Sequence, residues 1–185
     1  EIQIDIMDGK FVPNTTVGIE DLKDLPEAHY EFHWMVREPE RWIAQMPGPH
    51  MHLVHIEAVK SFEVVEQAVK KSGGKLGIAI NPETPLELAL RIIPKAQRVL
   101  IMTVHPGFGG QSFRPEMMEK VRRARELCDS LGVHYDIEVD GGIDAETAFQ
   151  TSFTGAGGEV VGSGRMPVAN PDYSAFVQRM KDLNQ

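Results

Sequence analysis

The sequence has one cysteine in 185 residues. Cys128 therefore has no partner for an internal disulfide, which fits a reducing compartment, and a cytoplasmic location is expected. Its setting, Arg125-Glu126-Leu127-Cys128, reads as helical, with no basic partner or turn beside it, so the thiol is expected to be structural and buried. Long apolar runs are also missing. None approaches the roughly 18 residues a membrane span requires, and no signal-peptide pattern is present. Excess positive charge is missing as well: the formal net charge is −8. That argues against a nucleic-acid or anionic-membrane partner and leaves any positive charge to be local. Low-complexity segments, linkers and hairpin signals are absent, so residues 1–185 are read as a single domain, long enough for a sizeable core.

What is present is alternation. Ile2-Gln3-Ile4-Asp5-Ile6-Met7 reads as a strand with isoleucines on one face and Gln3, Asp5 and Met7 on the other, ended by Asp8-Gly9. Further strands are expected at 30–36, 51–57, 75–81, 98–104, 134–140 and 159–161. Helices are expected at 19–25, 39–46, 61–72, 84–93, 115–131, 144–153 and 171–183, with Ser61, Asp144 and Asn170 as caps. Strands alternating with helices mean successive βα units and a parallel sheet. The run Val99-Leu100-Ile101-Met102 suits a strand covered on both faces.

An open doubly wound sheet and a closed barrel both satisfy this pattern. Asp5, His33, His55, Asp140 and Gly162 decide between them, because they sit at the C-terminal ends of five different strands. Along an open sheet those ends form a line; in a (β/α)8 TIM barrel they ring one mouth, where such barrels place their active sites. The expected fold class is therefore α/β, a (β/α)8 barrel. Seven strands are counted, and the first βα unit is expected to be the one absent, just before Glu1.

The inward polar faces bring Gln3, Asp5, His33, Asp140 and His55 to that mouth. Two carboxylates with imidazole suit a divalent cation such as Zn, Fe, Mn or Co. The same carboxylates equally suit an acid–base pair flanking a substrate. Taken singly, an Asp at a strand end is ordinarily a cap or turn former, and a His on a strand ordinarily a core histidine. Together they are harder to explain structurally, since barrel interiors are normally apolar and desolvating several ionisable groups is costly. Gly141-Gly142 and Gly162-Ser163-Gly164 end the last two strands, where such barrels commonly hold a phosphate with backbone N–H groups, although glycines also simply make tight turns. Pro106-Gly107-Phe108-Gly109-Gly110-Gln111 suits a flexible lid and does not have dinucleotide-binding spacing. Met7, Met35 and Met102 lie near strand ends, as adaptable packing or as a polarisable cap over a planar intermediate.

These residues resemble one family. Asp5-Ile6-Met7-Asp8-Gly9-Lys10-Phe11-Val12-Pro13-Asn14, His33-Trp34-Met35-Val36, the 106–111 loop, Ile137-Glu138-Val139-Asp140-Gly141-Gly142 and Val161-Gly162-Ser163 occur in the order found in ribulose-phosphate 3-epimerases of the pentose phosphate pathway. The resemblance runs over essentially the whole chain. It implies a (β/α)8 barrel and an isomerase that interconverts D-ribulose 5-phosphate and D-xylulose 5-phosphate through a metal-stabilised cis-enediolate. It implies Asp5 and Asp140 as the proton-transferring pair, and Asp5, His33 and Asp140 as metal ligands, with His33 also near substrate. Gly107, Phe108, Gly109 and Gly110 match the mobile substrate loop, and Gly141, Gly142, Gly162 and Ser163 the phosphate-binding turns. Met7, Met35 and Met102 match the methionines lining the intermediate. The family's fourth metal ligand, a histidine two residues before the first aspartate, is Gln3 here, a poorer donor, which leaves metal identity and occupancy open. The substrate is expected to be a sugar phosphate, the assembly a homo-oligomer. Epimerisation of a hexulose 6-phosphate and non-catalytic sugar-phosphate binding are the alternatives.

Overall fold

The computed structural model describes residues 2–23 and 25–142. The elements expected at 144–153, 159–161 and 171–183, with Gly162 and Ser163, lie outside the described residues. Within them, six strands form one sheet, β1 (Ile2–Met7), β2 (Tyr30–Met35), β3 (Met51–His55), β4 (Lys75–Ile80), β5 (Arg98–Met102) and β6 (Asp136–Asp140). Their spatial order is their sequence order, and every neighbouring pair is parallel. Helices α1 (Ile19–Leu22), α2 (Pro39–Ile43), α3 (Phe62–Ser72) and α4 (Met117–Leu131) lie in the connections. This curled parallel wall with helices between its strands is α/β architecture of the (β/α)8 barrel kind. No helix among the described residues is long and apolar enough to cross a membrane.

The period-2 alternation of each strand sorts its residues into two cores. Outward, Ile6, Phe32, Trp34, Val54, Ile78, Val99 and Ile101 pack with Val65 and Val69 of α3 and with Val121, Ala124 and Cys128 of α4. Cys128 is buried in that layer, as its helical setting predicts. Inward, Met51, Leu53, Ala79, Leu100 and Met102 form a separate apolar cluster inside the curl. Gly77 is part of this inner packing: a Cβ there would lie 2.4 Å from the Leu53 side chain.

Below the inner cluster the curl is polar. Arg98, the first residue of β5, reaches across to the Glu31 carboxylate of β2. It also lies 3.2 Å from Asp136 and 3.6 Å from Glu138, both of β6. Burial and the nearby Glu31 charge push the Glu138 carboxyl up to about 8. Glu31 and Arg98 were not singled out in the sequence; their meeting depends on a curvature that no single strand encodes.

Most elements fall within two residues of their expected bounds, and two differ in kind. The helix expected at 84–93 is instead a pair of 3-10 turns, Leu86–Ala89 and Ile93–Lys95. The backbone closes over three residues rather than four, with Leu88 N–H on Pro85, Leu90 N–H on Glu87 and Ile92 N–H on Ala89. Pro94 then disfavours α geometry at the residue before it. The strand expected at 51–57 stops at His55, and Glu57 lies in a 3-10 turn, Ile56–Ala58. Ser61 does occupy the position before α3, but its hydroxyl donates to Glu63 rather than capping the helix.

Candidate active site

The register of β1 and β2 places Asp5 directly opposite His33 and Met7 opposite Met35. His33 is fully buried, and its Nδ1 lies 3.0 Å from Asp5 Oδ1. On the other side, β6 brings Asp140 Oδ2 to 3.8 Å from the same Nδ1. Strands at the two ends of the described sheet thus meet over one imidazole, as the convergence argument requires. The Asp5 and Asp140 side chains remain 44% and 31% exposed, enough for a ligand to reach them.

The two carboxyls differ in their surroundings. Burial raises the pKa of Asp5, but the hydrogen bond and charge of His33, the Gln3 amide and His55 outweigh it, leaving the carboxyl below its usual range. Asp140 is pushed up to about 6 by burial and the Asp5 and Glu31 charges, against the opposing pull of His33. Burial lowers the pKa of His33, and its bond to Asp5 and the Asp5, Asp140 and Glu138 charges more than reverse that. A pair of carboxyls held apart in this way suits one that accepts a proton and one that delivers it.

One ligand atom each from Asp5, His33 and Asp140 lies within 4.8 Å of the others. A cation bonded at roughly 2.0–2.2 Å to each would sit among such atoms. Two carboxylates and an imidazole therefore fit a divalent metal ion. Gln3 stands two residues below Asp5 on the same face, and its amide nitrogen donates to Asp5 Oδ1 at 3.1 Å. In this arrangement Gln3 acts on the carboxylate.

The loops around the mouth are tied to one another. Asp8 Oδ1 accepts from the backbone N–H groups of Lys10 and Phe11, and its Oδ2 from that of Arg37, joining the loops after β1 and β2. Asn14 Nδ2 donates to the Gly107 carbonyl at 2.8 Å, so the glycine-rich loop is fastened at its base. Gly107 is buried, whereas a Cβ at Gly109 or Gly110 would meet nothing within 4 Å, and Phe108 is 55% exposed. The segment thus has an anchored base and an open tip. At the end of β6, Gly141 and Gly142 have φ of 115° and 65°. A Cβ there would lie 2.2 Å from Val104 and 2.3 Å from the Phe113 backbone, so both positions require glycine. The Thr103 hydroxyl donates to the Asp140 carbonyl at 2.8 Å and the Gly141 carbonyl at 2.5 Å, pinning the turn that carries Asp140.

The methionines occupy different levels. Met7 and Met35 are paired one inward position above Asp5 and His33. Met102 is opposite Asp140 and closes the inner apolar cluster. His55, expected at the mouth, is fully buried behind His33, its Nε2 2.8 Å from that of His33. Glu57 and Thr103 also belong to this neighbourhood; Glu57 falls within the strand expected at 51–57, and Thr103 carries no signal beyond its place just after β5.

Residues 1–166 match the family described as ribulose-phosphate 3 epimerase. The chain is 37% identical over 169 residues to the ribulose-phosphate 3-epimerase of Synechocystis sp., an alignment covering 88% of this chain and 74% of that protein. It is 36% identical over 185 residues to the ribulose-phosphate 3-epimerase of Mycobacterium leprae, covering 97% and 83%. With the protein of the same name from Bacillus subtilis it shares 37% identity over 168 residues, covering 88% and 77%.

Proposed function

The chain belongs to the ribulose-phosphate 3-epimerase family and is an epimerase, and on that premise we propose that it interconverts D-ribulose 5-phosphate and D-xylulose 5-phosphate. The observation that carries the mechanism is the meeting of Asp5 and Asp140 over His33 from the two end strands of the sheet. Epimerisation at C3 needs a base on one face of the carbon and an acid on the other. Asp5 takes the C3 proton of ribulose 5-phosphate, and Asp140 delivers one to the opposite face; in the reverse direction they exchange roles. Asp5, His33 and Asp140 would hold a divalent cation of the Zn, Fe, Mn or Co class, which would supply Lewis-acid stabilisation of the oxyanion that develops on the substrate.

The remaining roles follow from position. Met7 and Met35 offer soft apolar contact beside the reacting carbon, and Met102 stands opposite Asp140 on the neighbouring strand. The backbone at Gly141 and Gly142 receives the phosphate; Gly162 and Ser163, outside the described residues, are assigned to the same site by the family resemblance alone. The tip of the 107–110 loop closes over bound substrate while Asn14 holds its base. Asn14→Ala is therefore expected to raise KM by up to about tenfold, the equivalent of one hydrogen bond, with kcat changing less; steady-state kinetics measure both.

Gln3 is the residue that sets metal affinity apart from a site with imidazole at that position. Gln3→His exchanges an amide that donates to Asp5 for a better metal donor. The variant is expected to retain more metal than wild type after dialysis against a chelator. Equal retention would show that position 3 does not reach the ion.

The function is tested by assaying purified protein, with added divalent metal, on ribulose 5-phosphate and on a six-carbon 2-ketose 6-phosphate. Preferential turnover of the five-carbon sugar is expected. Preference for the six-carbon sugar would reassign the substrate, and tight phosphate-ligand binding without turnover would make the protein a binder.

A further inference from the structure

His33 has two ring nitrogens, and only Nδ1 faces the carboxylates. Its Nε2 points into the protein, 2.8 Å from Nε2 of His55. At that distance one nitrogen carries a hydrogen and the other a lone pair. The two rings alone do not decide which.

Glu57 decides it. His55 is completely buried, and its Nδ1 lies 3.4 Å from Glu57 Oε2. The other Glu57 oxygen accepts the Asn81 backbone N–H at 2.9 Å, which fixes the carboxylate in place. The Phe11 ring covers His55, with centroids 4.9 Å apart. At 3.4 Å the two do not make a formed hydrogen bond, but a carboxylate only accepts, so a hydrogen on His55 Nδ1 is favoured over a lone pair facing Glu57. The His55 Nε2 lone pair then accepts from His33 Nε2–H. With its Nε2 occupied in this way, His33 presents Nδ1 to the space between Asp5 and Asp140, where the hydrogen that Nδ1 gives to Asp5 at 3.0 Å is the one a cation would replace. The opposite assignment would set a lone pair of His55 against the Glu57 carboxylate. It would also put the hydrogen of neutral His33 on Nδ1, where it blocks a cation.

We propose that His55 and Glu57 are positioning residues, an imidazole hydrogen-bonded to His33 and a carboxylate facing that imidazole, which together favour the tautomer and orientation of His33 that make its Nδ1 available to a divalent cation. The proposal rests on the reading of Asp5, His33 and Asp140 as the metal site. Neither His55 nor Glu57 touches the ion; each acts through His33, as partners behind metal-bound imidazoles do.

The test uses the full chain. Long-range proton–nitrogen NMR of wild type reads the tautomer of His55 directly, and zinc affinity is measured by competition with a chromophoric chelator. Wild type is expected to show His55 protonated on Nδ1, with and without zinc. Glu57→Ala is expected to shift His55 toward Nε2–H and to weaken zinc binding about 10- to 100-fold. Glu57→Gln, whose amide oxygen can still accept from Nδ1, is expected to recover most of that affinity, which a mere gap in packing would not explain. His55 protonated on Nε2 in wild type overturns the proposal, and so does a folded Glu57→Ala variant with wild-type zinc affinity. Should Glu57→Ala fail to fold, the wild-type tautomer decides alone. Failure of wild type to bind zinc overturns the metal-site reading itself, and the tautomer still reports whether the His55 and Glu57 pair orients His33.

Discussion

Asp140→Asn is expected to lower kcat about 100- to 10,000-fold, the usual contribution of a positioned acid or base, and Asp5→Asn by a similar factor. Asparagine keeps the shape of each side chain and removes the exchangeable carboxyl. Asp5 and Asp140 are partly exposed at the mouth and belong to neither hydrophobic core, so circular dichroism and the thermal midpoint should stay close to wild type. Each substitution also replaces a carboxylate beside His33 by a neutral amide. The assays therefore need saturating metal, with metal content measured in parallel, so that lost proton transfer is separated from lost metal. A variant that stays metal-loaded and folded yet turns over at near wild-type rates would remove its aspartate from the mechanism.

The second large effect concerns stability. Arg98→Met is expected to destabilise the fold by about 3–5 kcal/mol, the range for removing one member of a buried ion pair. Arg98 is the guanidinium that faces Glu31, Asp136 and Glu138 inside the curl, and the Glu31 side chain is only 3% exposed. Deprived of that cation, Glu31 would either keep a charge in a desolvated site or take up a proton. The double variant Glu31→Gln/Arg98→Met removes both charges and should be milder than Arg98→Met alone. Urea denaturation of the three proteins checks this. A double variant as unstable as the single one would show that Arg98 contributes by packing rather than by charge.

The difference between these two regions explains what the sequence made legible. Asp5, His33 and Asp140 could be read because each combines an inward place in a period-2 strand with a position near its C-terminal end. Parallel curled topology carries such positions to one mouth whatever the exact register. Arg98 stands at the start of its strand, where a basic residue is unremarkable, and its role emerges only when β5 is set across from β2. The helix expected at 84–93 has real apolar spacing, but its turns close over three residues and Pro94 disfavours α geometry at Ile93, neither of which the spacing shows. A strand running 51–57 would put Glu57 on the same face as His55. The chain instead leaves the strand at His55, and the 3-10 turn sets the carboxylate beside the ring. Gln3 shows a subtler limit. The sequence gives an amide near the first aspartate, and only the fold shows that its nitrogen end meets Asp5.

The central claim is that two aspartates work on opposite faces of one carbon. Exchange in deuterated water with the single variants tests it most directly. Asp140→Asn retains the base that faces ribulose 5-phosphate. Recovered ribulose 5-phosphate should gain deuterium at C3 with almost no xylulose 5-phosphate formed. Asp5→Asn should leave ribulose 5-phosphate unlabelled while deuterating added xylulose 5-phosphate. The reverse pattern, or labelling of both sugars by either variant, would contradict the assignment of one aspartate to each face.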